Sequence, residues 1–327
     1  MTLAPSSALT RGQIGALLAD HGLHPSRVLG QNFVADPNTV RRIARLAGVG
    51  PGDRVVEIGA GLGSLTLALA ETGASVTAIE VDHHLLPVLR GVVEARGVRV
   101  VSGDAMTLDW AAVLAPAGDP WVLVANLPYN VATPLVADLL DAVPAIDRMV
   151  VMVQREVAER LAAGAGDHAY GAVSVKVAYW ATAEVVGLVP PTVFVPRPRV
   201  SSALVAIRRR AAPAVDPGVV DAGDLFALVR AGFGQRRKML RRSLAGRVPA
   251  GAWAIAGVAP ESRAEDLDVA AWGRLAAAAA FPGTGRPGAA PPAGAAPPAG
   301  AAGRGPAGAR HGPADAAAGP VTPAGSR

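Results

Sequence analysis

The chain has 327 residues, a net charge of +5 and 51% hydrophobic residues, which suits about two folded domains and excludes wholesale disorder. It contains no cysteine, so disulfides, thiolate metal sites and cysteine nucleophiles are excluded. The six histidines show no metal-ligand spacing, and we therefore expect no metal site.

Strand-like and helix-like segments alternate along the middle of the chain. Strands are predicted at 55–58, 75–79, 98–102, 121–125 and 149–153, and helices at 62–71, 83–96 and 134–143. This alternation indicates an α/β fold, a Rossmann-like doubly wound parallel sheet with right-handed crossovers. Farther along, the best helix candidates are 224–244 and 263–280, which predict a small all-helical region.

These patterns divide the chain into four parts. We expect a helical extension at 1–24, the α/β domain at 25–210, a helical domain at 211–281 and a disordered tail at 282–327. The tail is nearly all Ala, Gly and Pro, a composition that cannot bury enough apolar surface to offset the entropy of ordering. No apolar run is long enough to cross a membrane and no signal-peptide pattern is visible, so we expect a soluble, cytoplasmic protein.

A strand enters a glycine loop in V-V-E-I-G-A-G-L-G at 55–63. Glycines allow a tight turn and a close approach to a ligand, but the G-x-G-x-G spacing is one residue shorter than the dinucleotide fingerprint. An acidic residue lies at the end of each of the next two strands. Glu80 can accept hydrogen bonds from both hydroxyls of a ribose, and Asp104 can accept a hydrogen bond from an adenine amino group. Glu57 lies near the expected methionine end. Because no positive clamp for a pyrophosphate is present, the set favours S-adenosylmethionine over NAD.

The most specific motif is Asn126-Leu127-Pro128-Tyr129, directly after the fourth predicted strand. The lone pair of an exocyclic adenine amine is delocalised into the ring and is a poor nucleophile. The Asn126 side-chain oxygen and the carbonyl before Pro128 can accept its two N–H bonds and direct the lone pair at a methyl group. Pro128 stiffens the loop and Tyr129 offers an aromatic face to the base. The motif therefore indicates transfer of a methyl group to an amine.

A second aromatic element is F-V-P-R-P-R-V-S-S at 194–202. Two prolines hold it extended, Phe194 is a candidate for stacking on a flipped-out base, and Arg197 and Arg199 are candidates for phosphate contacts.

Basic residues crowd the stretch from Leu225 to Pro260, which contains no acid. Such a stretch is typical of a phosphate-binding surface. Its candidate RNA-binding residues are Arg230, Arg236, Arg237, Lys238, Arg241 and Arg242.

With these motifs in hand, the chain resembles the ribosomal RNA adenine-N6 dimethyltransferases, and within them the bacterial small-subunit (16S) branch. The resemblance covers roughly residues 25–278. It rests on the segments at 29–33, 57–63, 126–130, 154–160, 170–171 and 194–202. The F-A-L-V-R-A-G-F-G-Q-R-R-K-M-L-R-R-S-L run at 226–244 also resembles that branch rather than the 23S enzymes of macrolide resistance.

The resemblance implies S-adenosylmethionine as the cofactor and assigns residues to it. The implied cofactor contacts are Asn32, Val34, Gly59, Gly61, Glu80, Asp104 and Asn126. The implied catalytic set is Asn126, Leu127, Pro128, Tyr129 and Phe194. Val34 stands where the family often has Leu, a change of little consequence if its contact is through the backbone.

The resemblance also implies a reaction and a substrate. Two methyl groups would pass to N6 of each of two adjacent adenosines in the 3′-terminal hairpin loop of 16S rRNA. The substrate would be an assembling small subunit, which gives the enzyme a role in ribosome maturation. No feature of the sequence encodes the oligomeric state, and a monomer is the default expectation.

Three other functions stay open at this point. One is a binding factor in subunit assembly with little dependence on methylation, against which the intact Asn126–Tyr129 motif argues. A second is a 23S rRNA or DNA adenine methyltransferase, disfavoured by the basic C-terminal stretch and by 154–160. A third is an NAD-dependent oxidoreductase, disfavoured by the shortened glycine spacing, although the fold alone would not decide.

Overall fold

The computed structural model describes residues 8–115, 118 and 120–280, so the tail expected at 282–327 lies outside the described residues. The strands are β1 (Phe33–Val34), β2 (Arg54–Ile58), β3 (Ser75–Glu80), β4 (Arg99–Ser102), β5 (Trp121–Asn126), β6 (Ile146–Gln154), β7 (Ala181–Val189), β8 (Phe194–Val195) and β9 (Ser202–Arg209). The helices are α1 (Arg11–Asp20), α2 (Pro37–Ala47), α3 (Ser64–Ala70), α4 (Leu86–Val93), α5 (Trp110–Val113), α6 (Ala132–Ala142), α7 (Arg155–Ala162), α8 (Ala172–Trp180), α9 (Ala222–Gly234), α10 (Leu240–Ser243), α11 (Ala250–Ala256) and α12 (Val269–Ala280).

Seven strands form one mixed sheet in the order β4-β3-β2-β5-β6-β9-β7. Strands β2 to β6 are parallel, and β9 runs antiparallel to both β6 and β7. The predicted α/β Rossmann-like architecture is confirmed. Strands β7 and β9 were not predicted. They extend the sheet beyond β6, and β7 is an edge strand interrupted by an irregularity between Val185 and Gly187.

The two faces of the sheet bury alternate residues of the same strands. Val55 belongs to one core cluster, with residues of α2, α3 and α4, while its neighbour Val56 belongs to a second cluster with residues of α6 and α7. This alternation is what a strand covered by helices on both faces requires. The near-continuous apolar run of β2 thus follows from burial on two sides.

Helix α2 shows how local signals set the ends of the elements. Asp36 caps its N-terminus by accepting a hydrogen bond from the Thr39 backbone N–H at 2.9 Å, and Pro37 occupies the first turn. Gly48 ends the helix in the left-handed conformation, with φ of +59°.

The helix predicted at 224–244 is divided in the structure. Helix α9 ends at Gly234, a turn follows, and α10 begins at Leu240. Gly232 and Gly234 weaken the helix here, since glycine costs about 1 kcal/mol relative to alanine in a helix interior. The apolar periodicity that continues beyond Gly234 therefore belongs to two helices rather than one.

A separate two-stranded ribbon pairs β1 with β8 in antiparallel register, Phe33 opposite Val195 and Val34 opposite Phe194. Arg11 of α1 donates to the backbone carbonyls of Thr192 and Phe194 at 2.6 and 3.2 Å. The ribbon thus joins two motifs that lie 160 residues apart in the sequence.

The C-terminal helices share a third core cluster with α8. This cluster contains Tyr170, Val175 and Tyr179 together with Leu225, Trp272 and other residues of the C-terminal helices. No helix within the described ranges has the length and apolar content needed to cross a membrane.

Candidate cofactor and base site

The carboxyl ends of β2, β3 and β5 meet at the point where the strand order reverses, and a cleft opens there. It encloses about 730 Å³ of empty space, part of it open to solvent. Its walls come from three parts of the chain: the loop after β2, the segment that leads into β1, and the Asn126–Tyr129 turn. The predicted residues that line it are Asn32, Val34, Gly59, Gly61, Glu80, Asn126, Leu127, Pro128 and Tyr129.

The glycine loop fits closely under the β1 segment. Gly59 and Gly61 have φ angles of +72° and +58°, which L side chains rarely adopt. A Cβ on Gly61 would lie 3.0 Å from the Phe33 ring. Glycine at position 61 is therefore required both by the turn and by the ring that covers it.

Glu80 is held by backbone N–H groups at the end of β3. Its Oε2 accepts from Gly61 at 2.7 Å, and its Oε1 accepts from Val81 at 3.0 Å and Asp82 at 2.9 Å. Burial raises the pKa of Glu80, while these hydrogen bonds oppose the shift. The carboxylate ties the glycine loop to β3 and retains acceptor capacity for ribose hydroxyls, since each oxygen has two lone pairs.

Glu57 is buried at the floor of the cleft, and its Oε2 has no hydrogen-bond partner among the described residues. Burial raises the pKa of Glu57 to about 8. The nearby Thr66 hydroxyl lowers this pKa and the charge of Glu80 raises it further. The Oγ1 of Thr66 nevertheless makes no hydrogen bond of ordinary geometry within the described residues. The Ser64 hydroxyl, on the same cleft, is also without a partner in the described part of the chain.

S-adenosylmethionine fits this set of groups. Its ammonium group can donate to the unpartnered Oε2 of Glu57 and its ribose hydroxyls to Glu80, while the glycines, which have no side chain, leave room for it along the loop. A buried acid and a buried hydroxyl without partners are unusual in folded proteins and mark places where a polar ligand belongs.

Asn126 is oriented by the segment that covers the cleft. Its Nδ2 donates to the backbone carbonyl of Asn32 at 3.0 Å. Because the amide nitrogen is used in this way, the Oδ1 of Asn126 is the atom left to accept a hydrogen bond from a ligand. The structure thus presents an acceptor in the cleft, as amine activation requires.

Tyr129 is fixed by a hydrogen bond between its hydroxyl and the Oγ of Ser202, at 2.8 Å. Burial raises the pKa of Tyr129, so the phenol stays neutral. The ring lines the cleft and also an adjoining groove. Tyr129 therefore stands where a base entering from the groove would reach the cofactor.

The adjoining groove is basic. Its lining includes Arg27, Arg197 and Arg199, which are all exposed, together with Asn130 and the prolines at 196 and 198. It shares Gly30, Gln31, Asn32 and Tyr129 with the cleft.

The sequence matches a family model described as ribosomal RNA adenine dimethylase over residues 24–280. The chain belongs to this family. Its curated relatives include proteins named ribosomal RNA small subunit methyltransferase A. The one from Thermobifida fusca is 48% identical, over 84% of this chain and 96% of the relative, and the one from Bifidobacterium longum is 45% identical, over 84% and 94%.

Solved structures of similar fold agree with this assignment. The 23S rRNA methyltransferase ErmE superposes with a TM-score of 0.60 and 27% identity, over 76% of this chain and all of that one. A dimethyladenosine transferase from Plasmodium falciparum gives a TM-score of 0.60 at 24% identity, over 73% and 94%, and shows the fold alone. The predicted enzyme class, an S-adenosylmethionine-dependent rRNA adenine dimethyltransferase, is confirmed by membership of the family.

Two expected site residues of the dimethylase lie away from the cleft. Asp104 is exposed, is not part of the cleft lining, and accepts a hydrogen bond from the Met106 backbone N–H at 2.9 Å. Phe194 is fully buried in the core because β8 pairs it with β1, so its ring faces neither cavity. Of the two predicted aromatic residues, Tyr129 lines both the cleft and the groove, and Phe194 lines neither.

The six candidate RNA-binding residues of the C-terminal stretch fall into two groups. Arg236 pairs with Glu265 at 2.8 Å and donates to the His168 carbonyl, and Arg241 pairs with Glu261 at 3.1 Å. The other four are exposed and have no side-chain partner in the described ranges: Arg230, Arg237, Lys238 and Arg242. The acids that engage Arg236 and Arg241 follow Pro260, just outside the acid-free stretch.

Sequence reasoning missed Ser202, Gln31 and Asp82 as supports of the site. Gln31 Nε2 donates to Asp82 Oδ2 at 2.7 Å and so ties the covering segment to the loop after β3. Asp82, His83 and His84 also place ligand atoms within 4.8 Å of one another, the two histidines being exposed. The Asp82 carboxylate already accepts from Gln31 and from the His84 backbone N–H, and no metal is assigned to it.

Proposed function

We propose that this dimethylase transfers methyl groups from S-adenosylmethionine to N6 of two adjacent adenosines in the 3′-terminal hairpin loop of 16S rRNA, two to each. The names of its relatives support the small-subunit target. The observation that carries the chemistry is the Asn126 amide, whose Nδ2 is bound to the Asn32 carbonyl.

When bound, S-adenosylmethionine supplies an electrophilic methyl group on sulfur. Asn126 Oδ1 and the backbone carbonyl before Pro128 accept the two N–H bonds of the adenine amine, and Tyr129 holds the base by its ring. Asn126, the carbonyl before Pro128 and the Tyr129 ring would hold the amine nitrogen against the methyl group that the cofactor supplies, and water would take the amine proton. No side chain with a shifted pKa is needed as a base, so catalysis consists of positioning and hydrogen-bond activation.

The cofactor contacts that we propose are Glu57, Glu80, Asn32, Val34 and the loop glycines Gly59 and Gly61, all of which line the cleft. Asp104 uses only Oδ1 to accept from the Met106 N–H, and its Oδ2 is proposed to accept from the adenine amino group of the cofactor. Arg197 and Arg199 are proposed to contact RNA phosphates in the groove, with Arg237, Lys238, Arg230 and Arg242 extending the contact over the C-terminal helices.

The substrate is proposed to be the assembling small subunit in the cytoplasm, with the enzyme acting as a monomer.

A methyl-transfer assay tests this proposal. Labelled S-adenosylmethionine would be supplied with small subunits that lack the modification. We expect N6,N6-dimethyladenosine in the 3′-terminal hairpin and none in large subunits or naked 23S rRNA run as controls. Label confined to 23S rRNA would move the protein to the branch that ErmE represents. Subunit binding without any transfer would favour an assembly factor instead.

A further inference from the structure

Helix α1 lies before the part of the chain that the family model matches, which begins at residue 24. It nevertheless belongs to the main core. Leu9, Ile14 and Leu18 are buried in the cluster that also contains Phe33 and Phe194. The helix is therefore packed against the β1–β8 ribbon, yet the function proposed above gives it no role.

Arg11, the first residue of α1, joins this helix to the chain around β8. The capping box of Thr10 and Gln13 makes the helix begin directly before it. The Nη2 of Arg11 donates to the backbone carbonyl of Thr192 at 2.6 Å and to that of Phe194 at 3.2 Å. A single side chain thus holds two carbonyls at the start of β8.

The Phe194 carbonyl lies on the edge of β8 that β1 leaves open. The Ala35 N–H donates to the Val193 carbonyl at 2.7 Å, and the ribbon pairs Val34 with Phe194. Because successive residues of an antiparallel strand direct their carbonyls to opposite edges, the Phe194 carbonyl points away from β1. This edge of β8 is therefore held by the Arg11 guanidinium rather than by another strand.

The chain that leaves β8 carries two arginines of the basic groove. Arg197 and Arg199 line the groove together with the prolines at 196 and 198. Both arginines are exposed, and neither has a hydrogen-bond or acidic partner among the described residues. The two prolines restrict the backbone of this segment. Its direction is therefore set largely at the point where it leaves β8.

We propose that Arg11 is a positioning residue for RNA binding. By holding the two carbonyls, it fixes the direction in which the segment 196–199 leaves β8, and so the placement of Arg197 and Arg199 on phosphates of the substrate. The inference rests on the proposed function in taking RNA phosphates as the ligands of these two arginines. Arg11 itself does not contact the RNA, because its guanidinium is engaged within the protein.

Steady-state methyl transfer to small subunits that lack the modification measures the effect on the substrate. Arg11→Ala should raise KM for subunits about tenfold, the order expected when one charge-assisted hydrogen bond is lost, and change kcat and the affinity for S-adenosylhomocysteine by less than about twofold. Arg11→Lys should restore most of the KM, since an ammonium group can donate to the same carbonyls.

Arg96→Ala is the matched control for the lost charge. Arg96 is exposed and has no partner in the described part of the chain, and it lies just before β4, an edge strand of the seven-stranded sheet. This variant should keep the wild-type KM. An equal rise in KM for Arg96→Ala and Arg11→Ala would overturn the inference, because net charge would then be the cause.

A further set of variants separates positioning from direct contact with RNA. Arg197→Ala with Arg199→Ala removes the side chains that Arg11 is proposed to place. Adding Arg11→Ala to this pair should raise KM no further, because its effect acts through the same two contacts. If the losses multiplied in the triple variant, Arg11 would bind RNA on its own and the inference would be wrong.

Limited proteolysis tests the placement of the segment without any RNA. Trypsin can cut the bond between Arg199 and Val200, which are both exposed, whereas the proline at 198 protects the bond after Arg197. In Arg11→Ala, cutting after Arg199 should be about fivefold faster, since local opening costs less once the hydrogen bonds to Arg11 are lost. Cutting after Arg96, followed by mass spectrometry in the same digest, should keep its wild-type rate.

An unchanged KM in Arg11→Ala would overturn the inference. A loss of cofactor affinity as large as the rise in KM would also overturn it, because Arg11 would then support the whole site rather than the groove. The digest keeps this inference apart from the proposed function. Absent methyl transfer in the wild type, with faster cutting after Arg199 only in Arg11→Ala, would sink the proposed function and support the placement of the segment by Arg11.

Discussion

Glu57 places a carboxyl group in the floor of the cleft, where it is buried. Its pKa of about 8, well above the ordinary 4.5, means that the folded protein without cofactor binds a proton more tightly than the unfolded chain does. The stabilisation from this proton is complete below about pH 4.5 and is lost as pH rises toward 8.

The first prediction follows from that linkage. Between pH 5 and 8, the free energy of unfolding of the cofactor-free protein should fall with a Glu57 contribution on the order of 1 kcal/mol per pH unit. Glu57→Gln, which cannot ionise, should lack this contribution, and denaturant unfolding at several pH values measures the difference. Parallel pH profiles for the two proteins would contradict the assignment.

Over the same range the affinity for S-adenosylmethionine should rise with pH in the wild type only, since the ionised carboxylate pairs with the ammonium group.

The second prediction concerns the Tyr129–Ser202 hydrogen bond. Ser202 is fully buried and lines neither the cleft nor the groove, so we expect it to act as a positioning residue through Tyr129. Tyr129→Phe and Ser202→Ala should each lower kcat/KM for subunits by about tenfold, which is about 1.4 kcal/mol, with cofactor affinity unchanged. The double variant should be no worse than either single one, because both remove the same bond. Fully additive losses would show that the two residues act independently.

At the scale of elements, the basic side chains of the C-terminal helices are of two kinds: some form ion pairs within the protein, and others are exposed without a partner among the described residues. Arg236 joins the turn after α9 to Glu265 and to the His168 carbonyl, whereas Arg237 and Lys238 beside it are exposed and unpaired in the described part of the chain. Composition marks all of them alike as phosphate-binding. The pairing depends on acids that follow the stretch and on a loop near residue 168, which no local pattern reveals.

The third prediction uses this contrast. Arg237→Glu with Lys238→Glu should weaken subunit binding strongly and leave the melting temperature near the wild-type value. Arg236→Ala should do the reverse, lowering stability by up to about 1 kcal/mol, as expected for a partly exposed ion pair. Filter binding to subunits and thermal melts of the same preparations would decide. If both variants weakened subunit binding equally, Arg236 would have to be counted among the RNA-binding residues.

The parallel strands were predictable because a strand buried on both faces is a nearly continuous apolar run, as in β2 and β5. Strands β7 and β9 escaped prediction, since β7 is an edge strand whose polar and apolar residues do not alternate cleanly. Likewise the Asn126–Tyr129 turn was predictable from its residues, but the burial of Phe194 was not. That burial depends on pairing with β1, a contact between distant parts of the chain.

At the scale of the whole molecule, the C-terminal helices do not possess a core of their own. Their cluster includes Tyr170, Val175 and Tyr179 from before the expected domain boundary at 210, and the Tyr170 hydroxyl donates to the Leu267 carbonyl at 2.9 Å. A cut at that boundary would divide one hydrophobic core between two fragments.

The fourth prediction is that residues 211–284 do not fold in isolation, whereas residues 1–284, which form one compact unit, melt cooperatively. Removing several buried aromatic and aliphatic side chains costs several kcal/mol, comparable with the whole stability of a small domain. Proton NMR dispersion and circular dichroism melts of the two fragments measure this. A dispersed spectrum with a cooperative melt from 211–284 would show an autonomous domain.

The wall common to the cleft and the groove also bears on the order of events over a full reaction. Each adenosine receives two methyl groups, so spent cofactor must be exchanged between transfers. Since Gly30, Gln31 and Asn32 line both the cofactor cleft and the basic groove proposed for RNA, each exchange of cofactor through this wall would also disturb the groove. The enzyme should therefore work distributively, with singly methylated adenosine released as a free intermediate that the next encounter completes.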